Sequence, residues 1–176
     1  MDEESPYLIE TLTIMKSTVL ILALFAAPIA LTAPAQLGSL SSHAKPASYV
    51  AYTDLPQTVA ANRRSTLEVH FRVLPGYHVN SHTPTEQFLI PTALTVPAAA
   101  GVKPGEPAYP AGQPYSFSFD PKNKLSVYAG DFIVKLPVTA APGAHSIDAS
   151  LRYQACNNAS CFPPKTLPAK ISFTAK

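Results

Sequence analysis

No tryptophan occurs anywhere in the sequence, and only two cysteines do. The missing tryptophan removes the buried indole around which antibody-type sandwiches pack. Charge is sparse too: 13 Lys and Arg against 11 Asp and Glu leave a formal net charge of +2, with the basic residues scattered. That excludes the electrostatic footprint that nucleic acid or an anionic membrane surface demands. There is no glycine-rich phosphate loop, no localisable pair of carboxylates and no serine-nucleophile motif, so no cofactor is expected. Past the first 35 residues no window of eleven or more carries a helical period. The longest apolar run, Val19 to Leu31, falls short of the about 20 residues a membrane helix needs.

What that run does fit is a leader. Met15-Lys16 precedes it and Thr32-Ala33-Pro34-Ala35-Gln36 follows. A positive charge, a short apolar segment and a small-x-small site describe a secretory signal peptide, cleaved after Ala33 or Ala35. Asp2, Glu3, Glu4 and Glu10 are wrong for the positive end of such a leader and point to Met15 as the true start; an uncleaved anchor is the alternative. Residues 1–35 are therefore read as signal peptide with a possible mis-started extension, 36–46 as a linker and 47–176 as one domain. Export brings the chain into an oxidising compartment, where two cysteines pair.

Strand patterns fill the domain. Leu67, Val69, Phe71 and Val73 alternate with polar residues, as do Phe132, Val134, Leu136 and Val138. The period of two returns at Ile147, Ala149, Leu151 and Tyr153, and at Leu167, Ala169, Ile171 and Phe173. Each implies a strand with one buried face. Pro137 suits an edge strand or a strand end. Shorter strands are expected at Ser48–Thr53, Tyr77–Ser81, Phe88–Val96, Ser116–Phe119 and Leu125–Tyr128. Turns are expected at Pro75-Gly76, Pro121-Lys122-Asn123 and Ala141-Pro142-Gly143. Pro97 to Gly112 reads as a long surface connection. With 19 prolines and many short strands, the expected fold is all-β, an immunoglobulin-like antiparallel sandwich.

Both cysteines lie in Tyr153-Gln154-Ala155-Cys156-Asn157-Asn158-Ala159-Ser160-Cys161-Phe162-Pro163-Pro164. If the flanking segments pair as a hairpin, facing Cα atoms come within disulfide reach. A ring this short contributes only on the order of 2 kcal/mol in the chain-entropy model, which a domain of this size does not need. Continued alternation puts Cys156 on the face opposite Tyr153, the more accessible one. The pair is not a Cys-x-x-Cys at a helix N-terminus, so the strongly activated thiol belongs on a partner. Phe162-Pro163-Pro164 stiffens the chain after Cys161 and offers a rigid apolar surface.

The string Tyr-Gln-x-Cys, a short polar loop and Cys-Phe-Pro-Pro resembles the N-terminal periplasmic domain of the DsbD transmembrane thiol:disulfide reductase family. The likeness extends through Gly76-Tyr77 and through Lys124–Tyr128 to Leu136-Pro137-Val138, covering roughly residues 47–176. It implies an immunoglobulin-like periplasmic domain, a monomer, whose cysteines cycle between dithiol and disulfide. Electrons would come from a separate membrane-linked donor and pass to thioredoxin-fold oxidoreductases, cytochrome c maturation among the processes served. Cys161 would form the mixed disulfide and Cys156 would resolve it. The spacer is one residue shorter than in the best-known members. The family's shielding loop, with adjacent acids and a Phe, matches Tyr115-Ser116-Phe117-Ser118-Phe119-Asp120, where Phe117 or Phe119 caps the disulfide and Asp120 is the lone acid. Tyr77, His78, Tyr153 and Phe162 are the remaining neighbours implied for the sulfurs.

Two rival readings remain: an exported binding module whose bridge is only structural, and a metal module. For the latter, His78, Asn80 and His82 share one side of an extended segment and, with the thiols, offer copper or zinc ligands. Asn158-Ala159-Ser160 matches a glycosylation acceptor, but a sugar there would block the cysteines.

Overall fold

The computed structural model describes residues 47–176; the expected leader and linker lie outside the described residues. Twelve strands and no helix occur in them. In chain order these are β1 (Val50–Thr53), β2 (Gln57–Val59), β3 (Arg64–Val73), β4 (His78–Asn80), β5 (Ala93–Thr95) and β6 (Val102–Pro104). They continue with β7 (Gln113–Phe117), β8 (Asp120–Tyr128), β9 (Asp131–Ala140), β10 (Gly143–Tyr153), β11 (Ala155–Cys156) and β12 (Lys165–Ala175).

The long strands form where apolar residues alternate, and their register sets those residues opposite one another. Between β3 and β9, Leu67 faces Leu136, Val69 faces Val134 and Phe71 faces Phe132. Between β10 and β12, Ile147 faces Ile171, Ala149 faces Ala169 and Leu151 faces Leu167. The sheets β1-β3-β9-β6 and β2-β12-β10-β5 press these faces into one core, in which Leu67, Leu136, Ile147 and Leu151 are fully buried. This is the two-sheet sandwich of immunoglobulin type that the alternation implied. One pairing departs from the antiparallel rule: β2 runs parallel to β12.

A third sheet, β11-β4-β8-β7, carries the cysteines. It holds a small core of its own, Leu89, Leu125 and Val127, with Tyr115 and Phe117 packed against it. Two turns position it. Leu74-Pro75-Gly76-Tyr77 closes with the Tyr77 amide donating to the Leu74 carbonyl at 3.2 Å, and Gly76 has φ +81°. Proline then positive-φ glycine is the type II pattern, and it leads through Tyr77 into β4, which begins at His78. At Gly112, just before β7, an added Cβ would collide with the Ser126 hydroxyl and with Ser81, so only glycine lets the chain pass this close.

Several local expectations give way. Pro137 lies inside β9, with β3 along its length, not at an edge. Its carbonyl accepts from the Gly105 amide at 2.7 Å, so its nitrogen also faces that side and no bond to β3 is lost. Pro121-Lys122-Asn123 belongs to β8; the turn is Ser118-Phe119, with Phe117 facing Asp120. There β8 pairs with β7 alone, so one side is open to the missing donor. Pro97–Gly112 is not structureless, since β6 pairs with β9 and Ala108 bridges to Lys135. The strand expected over Phe88–Val96 shrinks to β5, and Phe88 is 78% exposed.

Candidate functional site: the cysteine hairpin

Cys156 and Cys161 are disulfide-bonded, with Cα atoms 3.9 Å apart, and they face each other as an antiparallel bridge. Hydrogen bonds shape this hairpin from both sides. The Phe162 amide donates to the Ala155 carbonyl at 2.8 Å, and the Asn157 amide to the Ser160 carbonyl at 2.9 Å. The Asn157 side-chain oxygen accepts from the Ala159 and Ser160 amides at 2.9 and 2.8 Å, the local turn that asparagine favours. Gln154 ties the arms to their surroundings. Its Nε2 donates to the Phe162 carbonyl at 3.2 Å, while its Oε1 accepts from Asn80 Nδ2 at 3.0 Å and the Ile90 amide at 3.2 Å.

The two sulfurs sit in unlike surroundings. Cys161 is exposed, whereas Cys156 has no exposure at all. This corrects the expectation of an accessible Cys156. Alternation does continue, with Ala155 in the main core, but the outer face that Cys156 turns to is roofed over. Cys156 pairs directly with His78 of β4, so both side chains point the same way. The Tyr115 ring packs against the His78 ring, tilted by 34° with centroids 3.9 Å apart, and its hydroxyl donates to the Asn158 side chain at 3.0 Å. One ring thus reaches from the strand beside Cys156 to the loop after it.

The other expected neighbours divide into two groups. Phe117 lies 5.9 Å from the His78 ring and 5.4 Å from Tyr115. Phe119, in the turn, stacks on Phe117 at 4.9 Å and is 69% exposed; Asp120 is exposed beside it. On the core side Phe162 stacks on Tyr49 at 4.9 Å, and Tyr77 lies 4.7 Å from Tyr49. Tyr153 is buried and anchors the start of β1: its hydroxyl accepts from the Tyr49 amide at 3.1 Å and bonds Ser48 Oγ at 2.9 Å.

His78 and His82 are not brought together. β4 ends at Asn80, and the His82 ring turns to stack on Tyr109 at 3.7 Å, with Nδ1 at 2.9 Å from the Thr92 carbonyl. Among the described residues no three His, Cys, Asp or Glu side chains converge on a point where a metal could bind.

A family model described as the thiol:disulfide interchange protein DsbD, N-terminal, matches residues 50–172. The chain belongs to this family. Solved structures similar to it include the reduced DsbD N-terminal domain of Neisseria meningitidis, at 22% identity and TM-score 0.43 over 65% of this chain and 82% of that one. A second is the complex between the DsbD and PilB N-terminal domains from the same organism, at 20% identity and TM-score 0.40 over 61% and 73%. The N-terminal periplasmic domain of ScsB from Proteus mirabilis follows at 8% identity and TM-score 0.42, over 69% and 44%. No curated protein sequence matches.

Within this DsbD N-terminal domain, sequence reasoning missed Tyr115 and Gln154 as parts of the site. The signal for Gln154 was present in the Tyr-Gln-x-Cys string, whose glutamine is the hydrogen-bond centre of the hairpin. Tyr115 stood in the matching loop but was passed over for the two phenylalanines.

Burial also gives His78 a measurable signature. It pushes the imidazole down to about 4, from an ordinary value near 6.5. Between those values the unfolded chain binds a proton that the folded chain refuses. Stability is therefore intact above about pH 6.5 and falls as pH drops toward 4. Urea midpoints measured from pH 7 to pH 4 should decline more steeply in the native protein than in His78→Phe.

Proposed function

We propose that this domain is a periplasmic thiol:disulfide exchange module whose Cys156–Cys161 bridge is opened and remade by thioredoxin-fold proteins. The observation that carries the reading is the asymmetry of the pair, one sulfur exposed and the other sealed, in a hairpin that hydrogen bonds already hold. A partner thiolate attacks Cys161 Sγ, and Cys156 leaves with the electron pair of the broken bond. A second partner thiolate then attacks the partner sulfur of the mixed disulfide, releasing Cys161. The partner is oxidised by two electrons and this domain is left as a dithiol. Run backwards against a different disulfide, the same steps deliver those electrons. A separate membrane-linked protein supplies them, and the domain acts as an exported monomer.

The test pairs a potential with a stability. Equilibration with a thioredoxin-type dithiol should place the bridge well above the roughly −300 mV below which structural disulfides lie. Replacing both cysteines by alanine should cost only about 2 kcal/mol, as a ring of this length implies, and should leave the far-ultraviolet spectrum unchanged. A bridge that resists every such dithiol, with a fold that collapses without it, would mean a structural staple on an exported binding module.

A further inference from the structure

Remaking the bridge poses a proton problem that the burial of Cys156 makes acute. In the dithiol state Cys156 must lose its thiol proton before it can attack, because the thiolate is the nucleophile. In the bridged structure Cys156 has no exposure to bulk solvent, so a neighbouring side chain is the nearest candidate to take that proton. The residue directly across from it is His78, itself only 3% exposed. Its Nε2 is one of three buried side-chain polar atoms with no hydrogen-bond partner among the described residues. Buried polar atoms are nearly always satisfied, and an orphan beside reactive sulfurs calls for a partner that appears in another state of the site. A thiol in place of the disulfide is such a partner.

We infer that His78 Nε2 accepts the Cys156 thiol proton when the mixed disulfide on Cys161 is resolved. This rests on the exchange function proposed above. The step balances as follows. Cys156 Sγ–H gives its proton to Nε2 of the neutral imidazole, and the sulfur keeps the electron pair. That pair forms the bond to Cys161 Sγ while the bond from Cys161 to the partner sulfur breaks. The partner leaves as a thiolate with the electrons of the broken bond. In the opposite direction the Cys156 thiolate departs beside an imidazolium and recovers its proton from it.

The surroundings suit an acceptor that stays empty until needed. Burial is what moves the titration of His78 downward, against the charged imidazole. From β7 the groups against it are the Tyr115 and Phe117 rings, and the Tyr115 hydroxyl is engaged by Asn158. The charged residues of the β7–β8 hairpin, Asp120, Lys122 and Lys124, are exposed. From β11 the facing group is Cys156. In the bridged state nothing there favours a charged imidazole. Once a thiolate forms opposite, its charge raises the imidazole pKa as the imidazolium lowers that of the thiol, and the two titrate as a pair.

The reduced protein treated with 5,5′-dithiobis(2-nitrobenzoate) separates the steps. Attack by exposed Cys161 releases the first chromophore; resolution by Cys156 releases the second in a first-order phase. In His78→Phe and His78→Gln the first release should match the native rate. The second should slow by roughly tenfold or more at pH 7, the lower reach of general-base catalysis. The variants' second phase should then climb with pH and approach the native rate only near the ordinary thiol value of about 8.5. His78→Gln preserves a polar side chain should the phenylalanine disturb packing, and a native circular-dichroism spectrum certifies a folded site. A second phase with native rate and pH profile in both variants overturns the role of His78 alone. No second release from the native protein overturns the exchange reading as well.

Discussion

Cys156→Ala should capture a thioredoxin-fold partner and fail to release it, whereas Cys161→Ala should capture nothing. The contrast comes from where each sulfur lies. With Cys156 removed, the exposed Cys161 still meets an incoming disulfide and forms the mixed species, but the resolving thiol is gone. A group held beside its target by the fold acts at an effective concentration that reaches about 10⁵ M or more in well-oriented cases. Free thiols at millimolar levels do not replace it, so the lifetime of the mixed disulfide should lengthen by orders of magnitude. With Cys161 removed, the remaining sulfur belongs to a residue that has no exposure in the bridged structure and that pairs with His78, itself covered by the Tyr115 ring. Non-reducing electrophoresis followed by mass spectrometry of the adduct reads both outcomes. Capture by Cys161→Ala instead would reverse the assignment and mean that the roof over Cys156 opens readily.

The long strands were legible because one physical signal dominates them. Leu67 through Val73 and Ile147 through Tyr153 alternate strictly, and a period of two with one apolar face has a single solution once sheets must cover that face. Contacts made by short or irregular segments were not legible. β6 has three residues, too few to show a period, and it exists because the free side of β9 accepts it. The turn at Ser118-Phe119 carries no glycine or proline, so the Pro121 beside it drew the expectation instead. Cys156 is the instructive case. Its face was read correctly and its exposure wrongly, since periodicity says which side a residue takes and nothing about what a distant segment lays over that side. The Tyr115 ring, from about forty positions earlier, covers His78 beside Cys156 and reaches Asn158 in the loop after it. The family likeness brought that segment toward the cysteines, but which of its three rings lies against His78 is set by the register of the β7–β8 hairpin, which periodicity does not show.

Gln154→Leu should cost the domain a large part of its stability while sparing both sulfurs and every aromatic ring of the site. The side chain makes three hydrogen bonds to three separate segments: Asn80 in β4, Ile90 in the loop before β5 and Phe162 in the second arm of the hairpin. Leucine fills similar space and satisfies none of them. Asn80 is fully buried, and its Oδ1 already lacks a partner. A newly unpaired buried group costs about 1–3 kcal/mol. With Asn80 Nδ2 keeping its bond to the Ile90 carbonyl, the sum should be about 3 kcal/mol. Calorimetry should register this as a Tm lower by roughly 10 °C. The redox equilibrium should move with it. Gln154 is one of the ties of the Cys161 arm, beside the Phe162 amide bond to Ala155 and the Phe162 ring on Tyr49, so loosening that arm makes the bridge harder to close than to open. Each 1.4 kcal/mol of lost order favours the dithiol by about tenfold against a reference couple. Gln154→Glu separates the two effects, because a carboxylate still accepts from Asn80 and Ile90 but repels the Phe162 carbonyl. It should therefore retain more of the stability than the leucine variant while showing a shifted potential. Equal melting temperatures for native and leucine proteins would mean that the hairpin is held by its own turn, with Asn157 rather than Gln154 fixing the distance between the sulfurs.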